Sequence, residues 1–169
     1  NVPITIFESN IFESVLHVEK SPCYLCARMR RGHLYNKAKE LGCNKIAYGH
    51  HRDDLVETML MSLIYEGHFY AFPPVTRLER TGLTVIRPLL YMTEPDIIGF
   101  ARKQNLPVAK SPCPANGHTR REYAKQLMHL INRENPGAID KMFTAILKGN
   151  IPDWPPAIPS HRYRYPENS

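Results

Sequence analysis

Four cysteines lie in this chain of 169 residues, and three of them are spaced like metal ligands. Cys23 and Cys26 form a Cys-x-x-Cys pair, and Cys113 repeats the local sequence Ser-Pro-Cys much later in the chain. Thiolates are soft ligands, and two of them at this spacing can chelate one metal ion or cluster. Three cysteines would leave one position of a tetrahedral site or a four-iron cluster open for substrate or sulfur. Cys43 follows Gly42 in a predicted turn, and we interpret its thiol as structural.

The same cysteines allow other interpretations. Three thiolates and one imidazole, from His33 or His118, could close a zinc site that stabilises a nucleic-acid-binding module. Cys23 and Cys26 alone could form a thiol redox pair. The pair could also be incidental, with Cys113 a buried thiol. Residue types and spacing leave these alternatives open.

A dense run of histidine and acidic side chains follows a predicted strand at residues 45–49. The run comprises Gly49, His50, His51, Asp53, Asp54, Glu57 and Thr58. Open α/β sheets bind ligands at the carboxyl ends of their strands, which is where this run lies. Adjacent carboxylates there can hold Mg²⁺ on a nucleotide or position a proton. Asp54 and Glu57 could instead form a helix capping box, and Asp53 could be a solvated turn residue.

Basic side chains follow two of the cysteines. Their main members are Arg28, Arg30, Arg31, Arg120 and Arg121. The net charge is +6, from 22 basic and 16 acidic residues, and a basic surface often binds nucleic acid. If the cysteines converge, the arginines converge too, which favours a phosphate backbone lying over the site. Either group alone is better explained as a solvated helix face.

Hydrophobic periodicity predicts an alternation of strands and helices around these residues. Strands are predicted at 2–7, 45–49 and 84–88, with a loop at 66–82. Helices are predicted at 24–41, 55–65, 94–104, 119–133 and 138–148. Alternation of this kind is typical of an α/β fold with a parallel sheet and flanking helices. We expect an α/β domain with the Cys-x-x-Cys pair at 1–110, a helical part with the third cysteine at 111–150, and a proline-rich tail at 151–169.

The composition is that of a globular protein. Hydrophobic residues make up 43% of the chain and charged residues 22%, which excludes a disordered or fibrous protein. No apolar run approaches the ~18 residues that cross a bilayer, and no segment has the pattern of a signal peptide. A cytoplasmic protein without a membrane partner is therefore expected.

Taken together, these residues resemble the PP-loop ATPase superfamily and, within it, the tRNA 2-thiocytidine biosynthesis proteins. The similarity runs from Val2 to about Leu147. It is carried by residues 23–32 (CYLCARMRRG), 45–54 (KIAYGHHRDD), 57–58 (ET), 73–74 (PP), 85–89 (VIRPL), 111–114 (SPCP), 136–137 (PG) and 142–143 (MF).

The resemblance implies a Rossmann-like adenine-nucleotide alpha-hydrolase fold. It implies that ATP, with Mg²⁺, activates an anticodon-loop cytidine of tRNA by adenylylation before sulfur replaces the base oxygen. It further implies a 4Fe-4S cluster and a sulfur donor such as a cysteine desulfurase. The residues assigned by resemblance are Cys23, Cys26 and Cys113 as cluster ligands, Gly49, His50, Asp53 and Asp54 as the nucleotide-binding and catalytic group, and Arg30 and Arg31 as RNA contacts. The basic side chains around them add Arg28, Arg120 and Arg121 to the predicted RNA contacts. A related thiolase acting on uridine is the close alternative.

One signature of the superfamily has no counterpart here. Its Ser-Gly-Gly-x-Asp-Ser loop, which cradles pyrophosphate through backbone N–H groups, does not occur among the 169 residues. We therefore expect an N-terminally truncated version of the fold that starts near the second strand. Such a chain would lack most of the ATP site, would not adenylylate tRNA by itself, and could rely on dimerisation.

Overall fold

The computed structural model describes residues 4–18, 22–109, 113, 119–149, 151 and 154. The helices are α1 (Ile11–Leu16), α2 (Pro22–Glu40), α3 (Arg52–Met61), α4 (Glu94–Lys103), α5 (Arg120–Glu134) and α6 (Ala138–Lys148). The strands are β1 (Lys45–Ala47), β2 (Val75–Leu78) and β3 (Leu83–Ile86). A π-helical segment, Ser62–Glu66, continues directly from α3.

The three strands form one sheet in the order β1–β3–β2. The Thr84 N–H donates to the Asn44 carbonyl at 3.0 Å, and the Tyr48 N–H donates to the Ile86 carbonyl at 2.9 Å. Because the paired positions rise together along both segments, β1 and β3 are parallel. The four residues that join β2 to β3 make that pair an antiparallel hairpin, with Gly82 at a φ of 72°. The predicted α/β class is confirmed, while the predicted loop at 66–82 is wrong where β2 lies.

The predicted strand at 2–7 is not found. Residues 4–9 have no regular secondary structure, and residues 2–3 lie outside the described part of the chain. Ile4 and Ile6 are 80% and 87% exposed, so no sheet face covers the alternating apolar side chains on which the prediction depended. An alternating pattern of apolar side chains forms a β-strand only where a neighbouring strand pairs with its backbone N–H and C=O groups. The short helix α1 follows, at residues for which the sequence analysis predicted no regular element.

The chain divides into two compact units. The first comprises residues 1–46 and 77–85, and the second comprises 47–76 and 86–169. In the second unit, the core is built where α3 packs against α5 and α6. Leu55 and Val56 of α3, Met128 of α5 and Ile146 of α6 are fully buried there. The domain limits expected from sequence, 1–110, 111–150 and 151–169, stay a prediction.

Two described residues of the proline-rich tail lie against this core. Ile151 is buried, and the Trp154 indole N–H donates to the Ala71 carbonyl at 2.9 Å. This contact holds the end of α6 near the segment that precedes β2. Within the described residues, no helix is long and apolar enough to cross a membrane.

Candidate functional site

The acidic run begins where β1 ends and α3 starts. His51 is the N-cap residue of α3: its ring Nδ1 accepts the Asp54 N–H at 3.4 Å, and the Asp54 carboxylate accepts the His51 N–H at 3.0 Å. This reciprocal pair satisfies two backbone donors that have no partner within the helix. The expected capping box of Asp54 with Glu57 is therefore wrong. The helix starts at Arg52, so Asp54 is already in its first turn and Glu57 lies one turn further on.

Asp53 is buried and fixed by the backbone of another helix. Its carboxylate accepts the Glu94 N–H, the first backbone donor of α4, at 2.7 Å. An anion at this point also faces the positive end of the α4 dipole. Asp53 is thus not the solvated turn residue that the sequence allowed. Its carboxylate joins the start of α3 to the start of α4, and a catalytic role for it remains a prediction.

His50 lies between two aromatic rings. Its imidazole packs against Phe72 at 4.8 Å and edge-on to Tyr48 at 5.3 Å, measured between ring centroids. Burial lowers the pKa of His50, and this effect outweighs the nearby Asp54 carboxylate. The imidazole is therefore neutral at physiological pH. Its Nδ1 is buried and has no hydrogen-bond partner among the described residues, which is uncommon for a buried polar atom.

Glu57 is a buried carboxyl group that sequence reasoning did not assign to the site. It is 3% exposed, and burial raises its pKa to about 7 in spite of an ion pair with Arg121 at 3.1 Å. A signal existed in the sequence: Asp53, Val56, Glu57 and Leu60 have the spacing of a buried helix stripe. A carboxyl group in an otherwise apolar stripe is a candidate functional residue, because burial there shifts its pKa.

Arg121 joins α5 to the acidic face of α3. Its guanidinium lies 3.1 Å from the Glu57 carboxylate, 3.4 Å from that of Asp54 and 3.5 Å from the Thr58 hydroxyl. The predicted RNA contact of Arg121 is therefore in competition with an internal ion pair.

Two more ion pairs connect the start of α3 and the helices around it. Lys125 of α5 pairs with Glu94 of α4 at 2.6 Å, and Arg52 of α3 pairs with Asp140 of α6. Together with the contacts of Asp53 and Arg121, these ion pairs link the start of α3 to α4, α5 and α6 and hold the acidic run in place.

The other predicted RNA contacts are more accessible. Arg28, Arg30 and Arg31 are exposed on α2. Arg120 is exposed at the start of α5, and its guanidinium lies over the Tyr65 ring, 4.8 Å from the centroid. These four arginines have charge available for an external anion.

The predicted metal ligands lie in both units. Cys23 and Cys26 are in the first two turns of α2, where a spacing of three residues brings side chains to one helix face. Cys23 and Cys113 are exposed, and Cys26 is partly exposed. Two thiols at this spacing on one helix face have the chemistry and the separation needed to serve as two ligands of one iron–sulfur cluster. No group of three or more His, Cys, Asp or Glu side chains that could hold a metal ion occurs among the described residues.

The zinc alternative with His33 is not supported. His33 lies seven residues after Cys26 on the same helix, about 10 Å along the axis at 1.5 Å per residue. A single zinc ion binds its ligands at 2.0–2.3 Å, so this imidazole cannot join the two thiolates on it. The ring packs against Phe7 instead, at 5.5 Å. The other candidate imidazole, His118, lies outside the described residues.

Comparison with known proteins identifies the family. A family model described as the PP-loop domain matches residues 13–130, which is more than half of the chain. The chain belongs to the PP-loop domain family. The acidic run of this PP-loop domain follows the carboxyl end of β1, which is the ligand-binding edge of open α/β sheets.

Similar curated proteins are named tRNA-cytidine(32) 2-sulfurtransferases. One from Cellvibrio japonicus is 40% identical over 149 residues, covering 86% of this chain and 49% of the relative. One from Alcanivorax borkumensis is 41% identical over 128 residues, covering 75% of this chain and 45% of the relative. One from Aliivibrio fischeri is 40% identical, covering 84% and 44%. The PP-loop domain chain spans about half the length of the curated relatives that it matches.

A solved structure has the same fold. It is the U34-tRNA thiolase NcsA from Methanococcus maripaludis with its 4Fe-4S cluster. The TM-score is 0.61 at 23% identity, with 79% of this chain and 46% of that chain covered. At this identity the likeness supports the predicted fold, a Rossmann-like PP-loop domain, and the cluster is a property of the neighbour.

Proposed function

We propose that this PP-loop domain belongs to a tRNA sulfurtransferase that converts an anticodon-loop cytidine to 2-thiocytidine. The observation that carries the proposal is helix α2, which presents two accessible thiols in its first turns and three exposed arginines directly after them. Thiolates for a metal cluster and cations for a phosphate backbone thus occur on one element. Relatives at about 40% identity that are named cytidine sulfurtransferases favour cytidine over uridine as the target.

The proposed cofactor ligands are Cys23, Cys26 and Cys113. A 4Fe-4S cluster on three cysteines would supply an iron with an open position that can carry the incoming sulfur. The chain's own contribution is to hold two thiolates on one rigid helix and to expose them. The remaining proposed ligand, Cys113, is also exposed.

The acidic run would handle ATP and the reacting base. In the proposed reaction, the base oxygen attacks the α-phosphorus of ATP, pyrophosphate leaves, and AMP is later displaced by sulfur. Asp54 is the carboxylate best suited to a Mg²⁺ ion on ATP, because it stays partly exposed. Neutral His50 is the candidate to accept or orient a proton, because its buried Nδ1 has no hydrogen-bond partner among the described residues. The adjacent Gly49 leaves room for the nucleotide to approach. Asp53 holds the loop in place.

The partners follow from the same chemistry. Arg28, Arg30, Arg31 and Arg120 would contact tRNA phosphates, while Arg121 would contribute only if it leaves its internal ion pair. The sulfur would come from a donor such as a cysteine desulfurase. We further propose that the protein acts as a homodimer in the cytoplasm, where a reduced thiol environment protects exposed cysteine ligands.

The proposal is tested by the metal content of cysteine variants purified without oxygen. Cys23→Ser, Cys26→Ser and Cys113→Ser should each lose most of the iron, the acid-labile sulfide and the broad visible absorption that wild type has. Cys43→Ser is the matched control, because Cys43 is an exposed free thiol outside the proposed ligand set, and it should keep all three signals.

Three results would contradict the proposal. A wild-type protein that binds zinc and no iron under these conditions would replace it with the zinc-stabilised module. A metal-free protein with a reversible Cys23–Cys26 disulfide would replace it with a thiol redox protein. Equal iron in Cys113→Ser and wild type would remove Cys113 from the ligand set.

A further inference from the structure

A closed loop of aromatic side chains follows α3. The chain leaves the helix through the π-helical segment and returns at Tyr70, whose backbone N–H donates to the buried Ser62 hydroxyl at 3.0 Å. Gly67, at a φ of 67°, makes the turn that closes the loop. π-helical segments and compact loops closed at their base are frequent at functional sites. The loop is therefore held in a defined shape, although its side chains are not buried.

Three aromatic rings of this loop are open to solvent. Tyr65, Phe69 and Tyr70 are 39%, 41% and 43% exposed. A globular protein gains stability by burying such rings, so several exposed rings in one ordered loop indicate a binding surface. The loop's acidic side chain, Glu66, faces His68 at 3.6 Å. The loop thus presents aromatic area together with the exposed carboxylate of Glu66.

An arginine completes the surface. The Arg120 guanidinium lies over the Tyr65 ring at 4.8 Å, which orients it without neutralising its charge. Arg120 has no acidic partner among the described residues, whereas its neighbour Arg121 is paired with Glu57 and Asp54. The two adjacent arginines therefore differ: one stabilises the contact of α5 with α3, and the other carries an uncompensated charge beside an exposed ring.

We propose that Tyr65, Phe69, Tyr70 and Arg120, called here the aromatic–basic surface, bind an unpaired base of the tRNA substrate together with its phosphate. The inference rests on the proposed function, because it names the surface of this chain that would contact the tRNA substrate. Unpaired RNA bases stack on aromatic rings and on arginine planes, and an adjacent guanidinium binds phosphate. A second copy of this basic chain is a poorer occupant, because it would bring like charge to an uncompensated arginine.

The test measures binding of a fluorescein-labelled RNA stem–loop to the purified protein by fluorescence anisotropy over a series of salt concentrations. A blunt RNA duplex of the same stem is the second probe. Tyr65→Leu keeps apolar bulk without an aromatic face, and it should weaken stem–loop binding about tenfold with little effect on the duplex. Tyr65→Phe keeps the ring and should bind like wild type.

The arginine is tested in the same titration. Arg120→Ala should weaken binding to both probes and reduce the slope of log affinity against log salt by about one. Arg133→Ala is the matched control, because it removes the same charge from an exposed position at the other end of α5. It should change neither the slope nor the preference for the stem–loop.

The outcomes separate this inference from the proposed function. Wild-type binding in both Tyr65→Leu and Arg120→Ala, with RNA still bound, overturns the aromatic–basic surface and leaves the sulfurtransferase proposal intact. A wild-type protein that binds neither probe overturns both. If Tyr65→Leu turns a dimer into a monomer in sedimentation and leaves RNA affinity unchanged, the surface is an interface between copies and the inference is wrong.

Discussion

Glu57 offers the sharpest test of the structure, because its burial predicts a pH effect of known sign. The carboxyl group is 3% exposed, and burial raises its pKa from an ordinary value of 4.5 to about 7. Arg121 and Lys125 act in the opposite direction, and Asp54 acts in the same direction as burial. The folded protein therefore prefers protonated Glu57, while the unfolded chain ionises it freely. The substitution Glu57→Gln keeps the shape of the protonated group and removes its titration.

The magnitude follows from the pKa difference between the two states. Stability from a group whose pKa is raised on folding is fully present below the unfolded value and is lost as pH rises through the folded value. A rise from 4.5 to about 7 corresponds to about 3 kcal/mol of folding free energy. Wild type should lose this amount between pH 4.5 and about 7, and Glu57→Gln should not. The variant should therefore equal wild type near pH 4 and be about 3 kcal/mol more stable at pH 8.

Urea denaturation at several pH values between 4 and 8 measures this difference. The chain has one tryptophan, and Trp154 packs against the core of the second unit, so its fluorescence reports unfolding of that unit. Other carboxyl groups also titrate, but they do so equally in both proteins and cancel in the comparison. Glu134→Gln is the matched control, since Glu134 is an exposed carboxylate on α5 and its loss should change stability by less than about 0.5 kcal/mol at every pH.

The reasoning is refuted if Glu57→Gln is less stable than wild type at pH 8. That result would mean that the ionised carboxylate, paired with Arg121, stabilises the fold more than its burial costs. A constant difference between the two proteins at all pH values would also refute it, because Glu57 would then not titrate in this range.

Two further substitutions test contacts that join distant segments. Asp53→Ala removes the acceptor for the first N–H of α4 and should lower the free energy of unfolding by about 2 kcal/mol in urea denaturation, while Asp53→Asn, which keeps an acceptor, should lose less. Trp154→Phe keeps the ring packing but loses the hydrogen bond to the Ala71 carbonyl, and thermal unfolding followed by circular dichroism should show a loss of about 1 kcal/mol. Equal stability of Asp53→Ala and wild type, or a loss of several kcal/mol in Trp154→Phe, would contradict these assignments.

The local signals in the sequence predicted several elements well. Thr93 and Thr119 stand at the predicted starts of two helices, each followed three residues later by an acidic residue, which is the pattern of an N-cap; in the structure each hydroxyl accepts the backbone N–H three residues later. These predictions succeed because a cap depends on a few neighbouring residues only. At α3 the capping position is taken by the His51 imidazole, and the alternative of a capping box formed by Asp54 and Glu57 is wrong. Histidine is not a preferred N-cap residue, so composition gave no reason to choose His51.

The long-range partners of the site could not be read from the sequence. Arg121 reaches Glu57 across 64 positions of the chain, and the Glu94 N–H reaches Asp53 across 41. Arg121 and Glu94 are ordinary solvated helix residues by type and spacing, and the stripe that contains Asp53 and Glu57 does not reveal which groups face it. Only the packing of α3 against α5 brings the arginine to the carboxylates and turns a predicted RNA contact into an internal ion pair.

Periodicity and short motifs were enough to predict the α/β class, the PP-loop family and the residue types at the site. The predicted helix at 24–41 left Cys23 outside, and only the structure, in which α2 starts at Pro22, places Cys23 and Cys26 on one helix face. The charge states and partners of these groups depend on the tertiary structure. His50 is neutral, the pKa of Glu57 is about 7, and Arg120 faces solvent while its neighbour Arg121 is paired with carboxylates. Burial and ion pairing set these states, and both arise from contacts between segments that are far apart in the chain.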